Sequence, residues 1–484
     1  MNELNLREEE LDDAIKESEV NDFKRAFADN KTHQQACYDI ATHFINKYHV
    51  KTIGGEKVRE LFIYQDGIYI DGVNVLRFEL RDILEELCTT HSVNEIIETV
   101  KDRTLADRKG FNPDPHLINL NNGVFDIRTD TLMPHDSKFL FFTKIPADYK
   151  KDADCPVIKS FLKETLDEEM LPVIQEWFGF GLFRQYFLKK GIIFVGEKNT
   201  GKTTLLRVIE KLFGIENISG VSLQKISKDK FATASLYNKH LNTYDDLPLH
   251  DIKDNGNFKM VTGGGTIDGE FKFKNRFKFV NYAKLMFTCN NIPDVKETND
   301  DAYFDRWIVV PFNKVVDTEK LDPFLVEKMT TPEELSGLLN FSLEGLRRLL
   351  TNQRFSYDKD ADEIKIEMLR SGSMIANFAY DCLEEWNDGR IAKEVMHKAY
   401  NFYAREHKLP SATMKIVGKI PKYATYISED RPMDQKTGKQ ATVMVWSNVR
   451  FKSDFEFKDD LHDVNTMRKE KANDEDPKPL SLNL

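Results

Sequence analysis

The chain has 484 residues, too many for one ordinary core, and its 40% hydrophobic and 31% charged content fits a folded chain of roughly three domains while excluding a disordered or fibrous one. A net charge of −11 excludes a protein that coats nucleic acid indiscriminately, yet leaves room for one local basic groove. No apolar run approaches the ~20 residues of a membrane span, and the acidic start "MNELNLREEELDD" is unlike a secretory signal, so no membrane partner and a cytoplasmic location are expected. Five scattered cysteines (Cys37, Cys88, Cys155, Cys289, Cys382) form no C-x-x-C pair and announce neither a disulfide framework nor a zinc site.

In chain order, residues 1 to about 30 are charged and helix-friendly and read as a solvated arm. The stretch to 150 mixes helical "VLRFELRDILEEL" with strand-like "LFIYQDGIYIDG" and "NNGVFDIRTDTLMP", whose Asp-Gly and Asn-Gly pairs signal hairpin turns; 1–150 is therefore an α+β region. "DADCP" precedes the helical patterns "VIKSFLKETL" and "EEMLPVIQEWFGFGLF", giving a helical linker or collar over 151–188. Strand-like and helical segments then alternate over 189–330, which predicts a mostly parallel sheet wrapped by helices. Over 331–460 helices return, with "GRIAKEVMHKAYNFYAREHKL" before strand-like "TVMVWSNVRF" suggesting a winged helix, and 461–484 lacks an apolar face and reads as a disordered tail.

Chemistry concentrates in the middle. "GIIFVGEKNTGKTTLL" (191–206) is an apolar strand, a turn and a helix opening at Lys202, the order of a phosphate-binding P-loop. Backbone N–H groups across Gly196, Glu197, Lys198, Asn199, Thr200, Gly201, Lys202, Thr203 and Thr204 would cradle phosphates. Lys202 would reach the β- and γ-phosphates of ATP and Thr203 would offer its hydroxyl to Mg²⁺. "LNTYDDLP" supplies Asp245 to hold the metal through water and Asp246 to orient and deprotonate an attacking water, although an Asp-Asp loop cap has the same composition. "KLMFTCNNIP" is a buried strand ending in Asn290, a candidate γ-phosphate sensor or the start of an Asx turn. Between these lies "FKMVTGGGTIDGEFKFKNRFKF", and over 255–285 Lys259, Lys272, Lys274, Arg276, Lys278 and Lys284 stand against Asp268 and Glu270, a local balance of +4. Such a hairpin can meet nucleic-acid phosphates, or it can be a solvated strand face with its aromatic side in the core. "AYFDRWIVVPF" sets Arg306 just before an apolar strand, placed to serve a neighbouring subunit's nucleotide or to pair with Asp305.

The ordered set "GEKNTGKTT", "YDDLP", "KMVTGGGTIDGEFKFK", "KLMFTCNNIP" and "DRWIVVPF" resembles the superfamily 3 helicases, and within them the phage, plasmid and large-DNA-virus primase-helicase family. The resemblance implies an α/β fold: an AAA+ P-loop ATPase core, an α+β N-terminal region and a C-terminal winged helix. It further implies a ring, usually a hexamer, that holds nucleotide between subunits and single-stranded DNA in its channel. By that likeness Lys202, Asp245, Asp246 and Asn290 serve hydrolysis, Thr203 and Asp245 the metal, Arg306 acts in trans, and Lys272, Phe273 and Lys274 form the DNA-contacting hairpin. Lys198 and Thr200 depart from the small residue and the asparagine that the family often has, an expected effect on affinity alone. The only Asp-x-Asp pair of the first 180 residues, Asp152 and Asp154, lacks a feeding strand, so no built-in primase is expected and a separate primase or polymerase would supply primers.

The expected function is thus ATP-driven unwinding of forked DNA at the replication site of a virus, phage, plasmid or other mobile element, 3′ to 5′ by resemblance. The alternative is an ATP-controlled DNA-binding initiator or loading platform with little unwinding. A small-molecule phosphotransferase is disfavoured, because that chemistry needs no basic aromatic hairpin.

Overall fold

The computed structural model describes residues 21–29, 32–54, 59–111, 114–248, 252, 255–270, 276–293, 295, 300–316, 322–430 and 444–457. The first twenty residues of the acidic arm and the tail expected over 461–484 lie outside them.

The N-terminal region is α+β. Helix α1 (His33–Tyr48) precedes strands β1 (Lys51–Gly54), β2 (Arg59–Gln65) and β3 (Ile68–Asp71), then α2 (Val73–Leu84), α3 (Thr90–Arg103) and β4 (Leu105–Ala106). The sheet order is β3-β2-β1-β4, and only the β1–β4 pair is parallel. The turn between β2 and β3 is Asp66-Gly67, with φ of 49° and 85°. Positive φ at both central residues is what a two-residue turn needs to match strand twist, and Asp followed by Gly tolerates it. Ile40, Phe44, Leu76, Leu80, Ile96 and Val100 from the three helices pack with Leu61 and Ile63 of β2 in one core.

An antiparallel meander follows: β5 (Leu117–Leu120), β6 (Gly123–Asp126) and β7 (Thr131–Met133). Its first turn corrects the Asn-Gly expectation. Leu120 pairs with Gly123, so the turn residues are Asn121 and Asn122, and Gly123 opens the strand at φ 150°. Asn121 and Asn122 side chains donate to Asp148 and to the Tyr149 carbonyl, which ties the turn to the following segment. Asp152 and Asp154 sit in a loop before α4 (Pro156–Thr165), not at a strand end, and Asp154 pairs with Lys159.

Helices α4 and α5 (Met170–Leu182) lead to a five-stranded sheet of β8 (Gly191–Val195), β9 (Ile218–Ser219), β10 (Leu241–Tyr244), β13 (Lys284–Cys289) and β14 (Trp307–Pro311). The order is β14-β8-β13-β10-β9 and every pair is parallel. Alternate residues therefore feed opposite faces, and both faces are covered. Ile193, Leu285, Phe287, Trp307 and Val309 join one core. Ile192, Phe194, Met286, Ile308 and Val310 join the other, with α4, α5, α6 (Lys202–Phe213) and α7 (Pro332–Asn352). Such a doubly buried sheet explains why these strands read as continuous apolar runs. A separate antiparallel hairpin, β11 (Thr266–Gly269) with β12 (Phe277–Val280), lies between β10 and β13 in sequence.

The C-terminal part carries α8 (Ala361–Gly372), α9 (Met374–Cys382), β15 (Leu383–Ala392), α10 (Lys393–Glu406), β16 (Ser428–Asp430) and β17 (Val445–Phe451), with strand order β15-β17-β16. The helix expected from Gly389 begins only at Lys393, because Ile391 and Ala392 are buried in pairing with Trp446 and Val445. Among the described residues no helix is long and apolar enough to cross a membrane.

Candidate functional site

Three neighbouring strands, β8, β13 and β10, end at the same edge of the sheet, since Val195 pairs with Cys289 and Tyr244 with Phe287. Their following loops line a cleft of about 750 Å³. This is the carboxyl edge of a parallel sheet, where loops rather than strands meet ligands.

The loop after β8 is shaped by its glycines. A Cβ on Gly196 would stand 2.2 Å from the Phe312 carbonyl oxygen, so no side chain fits there. Gly201 caps α6 with φ 94°, a conformation that L side chains rarely adopt. Asn199 also has positive φ, 60°, and its carbonyl accepts from Val316 N–H at 2.9 Å. The loop consequently delivers its backbone N–H groups and the positive end of α6 to the cleft.

Lys202 opens α6 and is buried. Its ammonium donates to the carbonyls of Gly196 and Glu197, both at 2.6 Å, and lies 3.3 Å from Thr200 Oγ1. Burial pulls its pKa below the ordinary value, opposed by Cys289, Asp245 and Asp246 nearby. Thr200 is itself built into the loop, because its hydroxyl donates to the Glu197 carbonyl at 2.9 Å. Glu197, Lys198, Asn199 and Thr203 are exposed, with Thr204 half-buried.

Thr203 Oγ1 donates to Asp245 Oδ2 at 3.1 Å. Cis ligands of an octahedral Mg²⁺ lie roughly 3 Å apart, given bonds of about 2.1 Å, so this hydroxyl and carboxylate fit one such ion. Asp246 follows with φ 53°, exposed at the cleft wall. Asn290, just past β13, is exposed and lines the same cleft. The loop after β8, both carboxylates and the asparagine are thus brought together.

Thr288 joins them, and the motif reading missed it. It is 1% exposed, and its Oγ1 donates to Asp245 Oδ1 while accepting from the Asp246 N–H at 3.0 Å. The signal available in "KLMFTCNN" is a hydroxyl that follows the apolar run Leu285–Phe287, one residue before the end of a fully buried strand. Phe161, Pro323, Leu325 and Val326 supply an apolar wall that no sequence motif marked.

Arg306 stands apart. It immediately precedes β14, and its carbonyl accepts from Gly191 N–H at 2.7 Å, so it lies at the amino edge of the sheet, about 13 Å of strand from the cleft edge. The Asp305 carboxylate goes instead to Lys190 at 3.3 Å. Arg306 donates to the Ala302 carbonyl, and among the described residues it forms no ion pair.

Lys272, Phe273 and Lys274 lie outside the described residues. The flanking strands turn Ile267, Phe277 and Phe279 inward, with Phe277 and Phe279 packing on Tyr237 at 5.0 and 5.4 Å, and leave Asp268 opposite Lys278 in solvent. The expected surplus of cations here is reduced by pairing and burial. Lys259 pairs with Asp300 and Arg276 with Glu270, while Lys284 is fully buried and donates to the carbonyls of Phe183, Gln185 and Tyr282. Spacing along the chain does not reveal that β13 begins inside the core.

Residues 23–167 match a family model described as D5 N terminal like, and residues 194–306 match a family of unknown function (DUF5906). Neither match spans half of the chain. The putative helicase L207/L206 of Acanthamoeba polyphaga mimivirus is 23% identical over 289 residues, which is 56% of this chain and 29% of that protein. The chain therefore matches under a third of that relative's length. Among solved structures, the A form apo structure of the NrS-1 C terminal region covers 84% of this chain and 98% of its own, at 13% identity and TM-score 0.48. The apo structure of the NrS-1 C terminal region (305–718) covers 86% and 99%, at 13% identity and TM-score 0.47.

Proposed function

We propose that this chain is an ATP-dependent DNA helicase of viral or mobile-element replication, with an AAA+ core of the superfamily 3 type, working as a ring on single-stranded DNA. The observation that carries this reading is the convergence of Lys202, Thr203, Asp245, Asp246, Thr288 and Asn290 on one cleft at the ends of three adjacent parallel strands. A helicase-named viral relative and the D5 N terminal like region support the replicative role.

In this reading the loop from Gly196 to Thr204 binds the phosphates through backbone N–H groups, and Phe161, Pro323, Leu325 and Val326 flank the base. Thr203 and Asp245 would hold Mg²⁺, which when bound would supply positive charge beside the phosphates. Lys202 exchanges its loop carbonyls for phosphate oxygens. Asp246 accepts a proton from the attacking water, while Asn290 fixes that water against the γ-phosphate. Arg306, too far to serve its own cleft, is assigned to the cleft of a neighbouring subunit, which makes a ring, hexameric by resemblance, part of the active site. The hairpin lysines Lys272 and Lys274 are assigned to the DNA strand in the channel, the C-terminal helices and sheet to a winged helix, and primer synthesis to another chain.

The test is strand displacement on forked duplexes with a 3′ or a 5′ tail, comparing wild type with Lys202→Ala. Unwinding that requires ATP, the 3′ tail and Lys202 is expected. ATP-dependent DNA binding with no strand separation on either fork would replace the helicase by a loading platform.

A further inference from the structure

The N-terminal region holds a cluster for which the proposed helicase has no use. His33 begins α1 and Cys37 follows at i+4, so both project from one side of the helix, while Glu95 comes from the neighbouring α3. Cys37 Sγ lies 3.7 Å from His33 Nε2, His33 Nε2 lies 3.8 Å from Glu95 Oε2, and all three donor atoms fall within 4.8 Å of one another. Tetrahedral zinc, with bonds of about 2.3 Å to sulfur and about 2.0 Å to nitrogen and oxygen, sets these ligand separations at roughly 3.5 and 3.3 Å. The cluster stands within about half an ångström of that geometry, open enough to contract around an ion.

The imidazole is also oriented for the task. His33 Nδ1 is 3.2 Å from the Phe27 carbonyl, which can only accept, so the ring proton belongs on Nδ1 and the Nε2 lone pair faces Cys37 and Glu95. A backbone carbonyl behind the far nitrogen is the usual support for a metal-binding histidine. The Phe27 ring, 4.4 Å from the imidazole, holds its plane. Cys37 is buried, whereas the His33 and Glu95 side chains are 33% and 36% exposed, so an ion can enter from solvent and keep a water as its fourth ligand.

We propose that His33, Cys37 and Glu95 bind one zinc-class divalent cation that pins α1 to α3. A thiolate, an imidazole and a carboxylate select zinc over the hard cations magnesium and calcium, which favour all-oxygen sets. Binding releases the Cys37 proton. The rival is a metal-free arrangement, with the thiol donating to a neutral imidazole or the imidazolium paired with Glu95.

The test uses the full chain, dialysed against Zn²⁺ for metal analysis and titrated with Co²⁺ as a spectroscopic substitute. Wild type is expected to retain one zinc and to give Co²⁺ a thiolate charge-transfer band with strong tetrahedral d–d bands. Cys37→Ser should lose the band. Glu95→Gln, changed at a solvent-facing side chain and so still folded, should lose more than the ~10- to 100-fold in affinity that removal of an outer hydrogen-bond partner costs. A spectrum without the thiolate band, or the same affinity in wild type and Glu95→Gln, overturns the proposal in favour of the metal-free pair. None of these readouts depends on ATP hydrolysis, so their failure is separate from failure of the helicase reading.

Discussion

Thr288→Val keeps the shape of the side chain and removes one hydroxyl that serves both carboxylate residues. The hydroxyl donates to Asp245 Oδ1, an interaction with a charged acceptor worth about 1.5–3 kcal/mol, and accepts from the Asp246 amide, whose stranding costs about 1–3 kcal/mol. Asp245 is exposed and can turn to water, which puts the combined loss near the low end, about 2–4 kcal/mol. Asp246 sits at φ 53°, a conformation that its amide contact helps to hold, so the loss is expected to show in placement of the carboxylate proposed above to activate water. At 1.36 kcal/mol per decade, kcat for ATP hydrolysis should fall roughly 30-fold or more. The KM for ATP should change little, because Lys202 and the loop are untouched. Steady-state phosphate release over a range of ATP concentrations measures both, with binding of a fluorescent ATP analogue as control. Thr288→Ser should recover most of the rate. If Thr288→Val turns over within about threefold of wild type, or Thr288→Ser is as slow as Thr288→Val, the hydroxyl does not position the carboxylates.

Asp246→Asn should still bind ATP but lose ~10² to 10⁴ in turnover, the usual worth of a general base; equal losses in nucleotide affinity would move Asp246 to a binding role. Arg306→Ala should bind ATP normally and hydrolyse it ~10³-fold more slowly, and mixing it with Lys202→Ala subunits should restore some turnover, since each provides what the other lacks. Near-normal hydrolysis by Arg306→Ala alone would end the in-trans assignment. His240, buried between Thr143 Oγ1 at 3.1 Å and the Gly181 carbonyl at 3.0 Å, is held down to about 3 by burial, with Arg184 and Lys284 adding to the effect. Below its ordinary value of 6.5 the unfolded chain takes up a proton that folded His240 refuses, so stability should decline as pH falls from 6.5 toward 3, by at most about 1.4 kcal/mol per unit. Urea unfolding across that range should show a shallower decline in His240→Gln, and an identical slope would remove His240 from the account.

The mixed α/β architecture was legible where local signals and tertiary environment agree. Apolar runs at 191–195, 285–287 and 307–311 belong to strands buried on both faces, and Asp66-Gly67 is a turn that its own residues specify. Strand β15 was illegible, because "LEEWNDGRIA" carries a mostly polar, exposed run from Glu385 to Asp388 and becomes a strand only by pairing with β17, with a register shift between Glu385 and Arg390. Lys284 was counted with the surface cations because its charge is plain in the sequence, whereas the three carbonyls that solvate it come from residues 183, 185 and 282. Thr288 carries no motif, and its part in the cleft follows from β13 lying between β8 and β10. The His33–Cys37–Glu95 group was invisible to cysteine spacing because its third member comes from another helix.

Glu176 of α5 is 0% exposed and accepts from Arg348 Nε at 2.5 Å, from Ser356 N–H at 2.7 Å and from Ser356 Oγ at 2.6 Å. One residue further on, the Tyr357 hydroxyl accepts from Val309 N–H of β14 at 3.2 Å. A buried carboxylate deprived of its guanidinium is strongly destabilising, by about 3–5 kcal/mol. Any recombinant fragment that stops near residue 330 would strip Arg348 and Ser356 from Glu176 and uncover Trp177 and Phe180, which pack with α7 and Phe355. Such a piece should precipitate or be digested by trypsin in minutes, while one running from about 155 to 372 keeps the clamp closed. The boundary of a stable fragment should therefore be set by a buried carboxylate that does not line the cleft, not by the motifs that do.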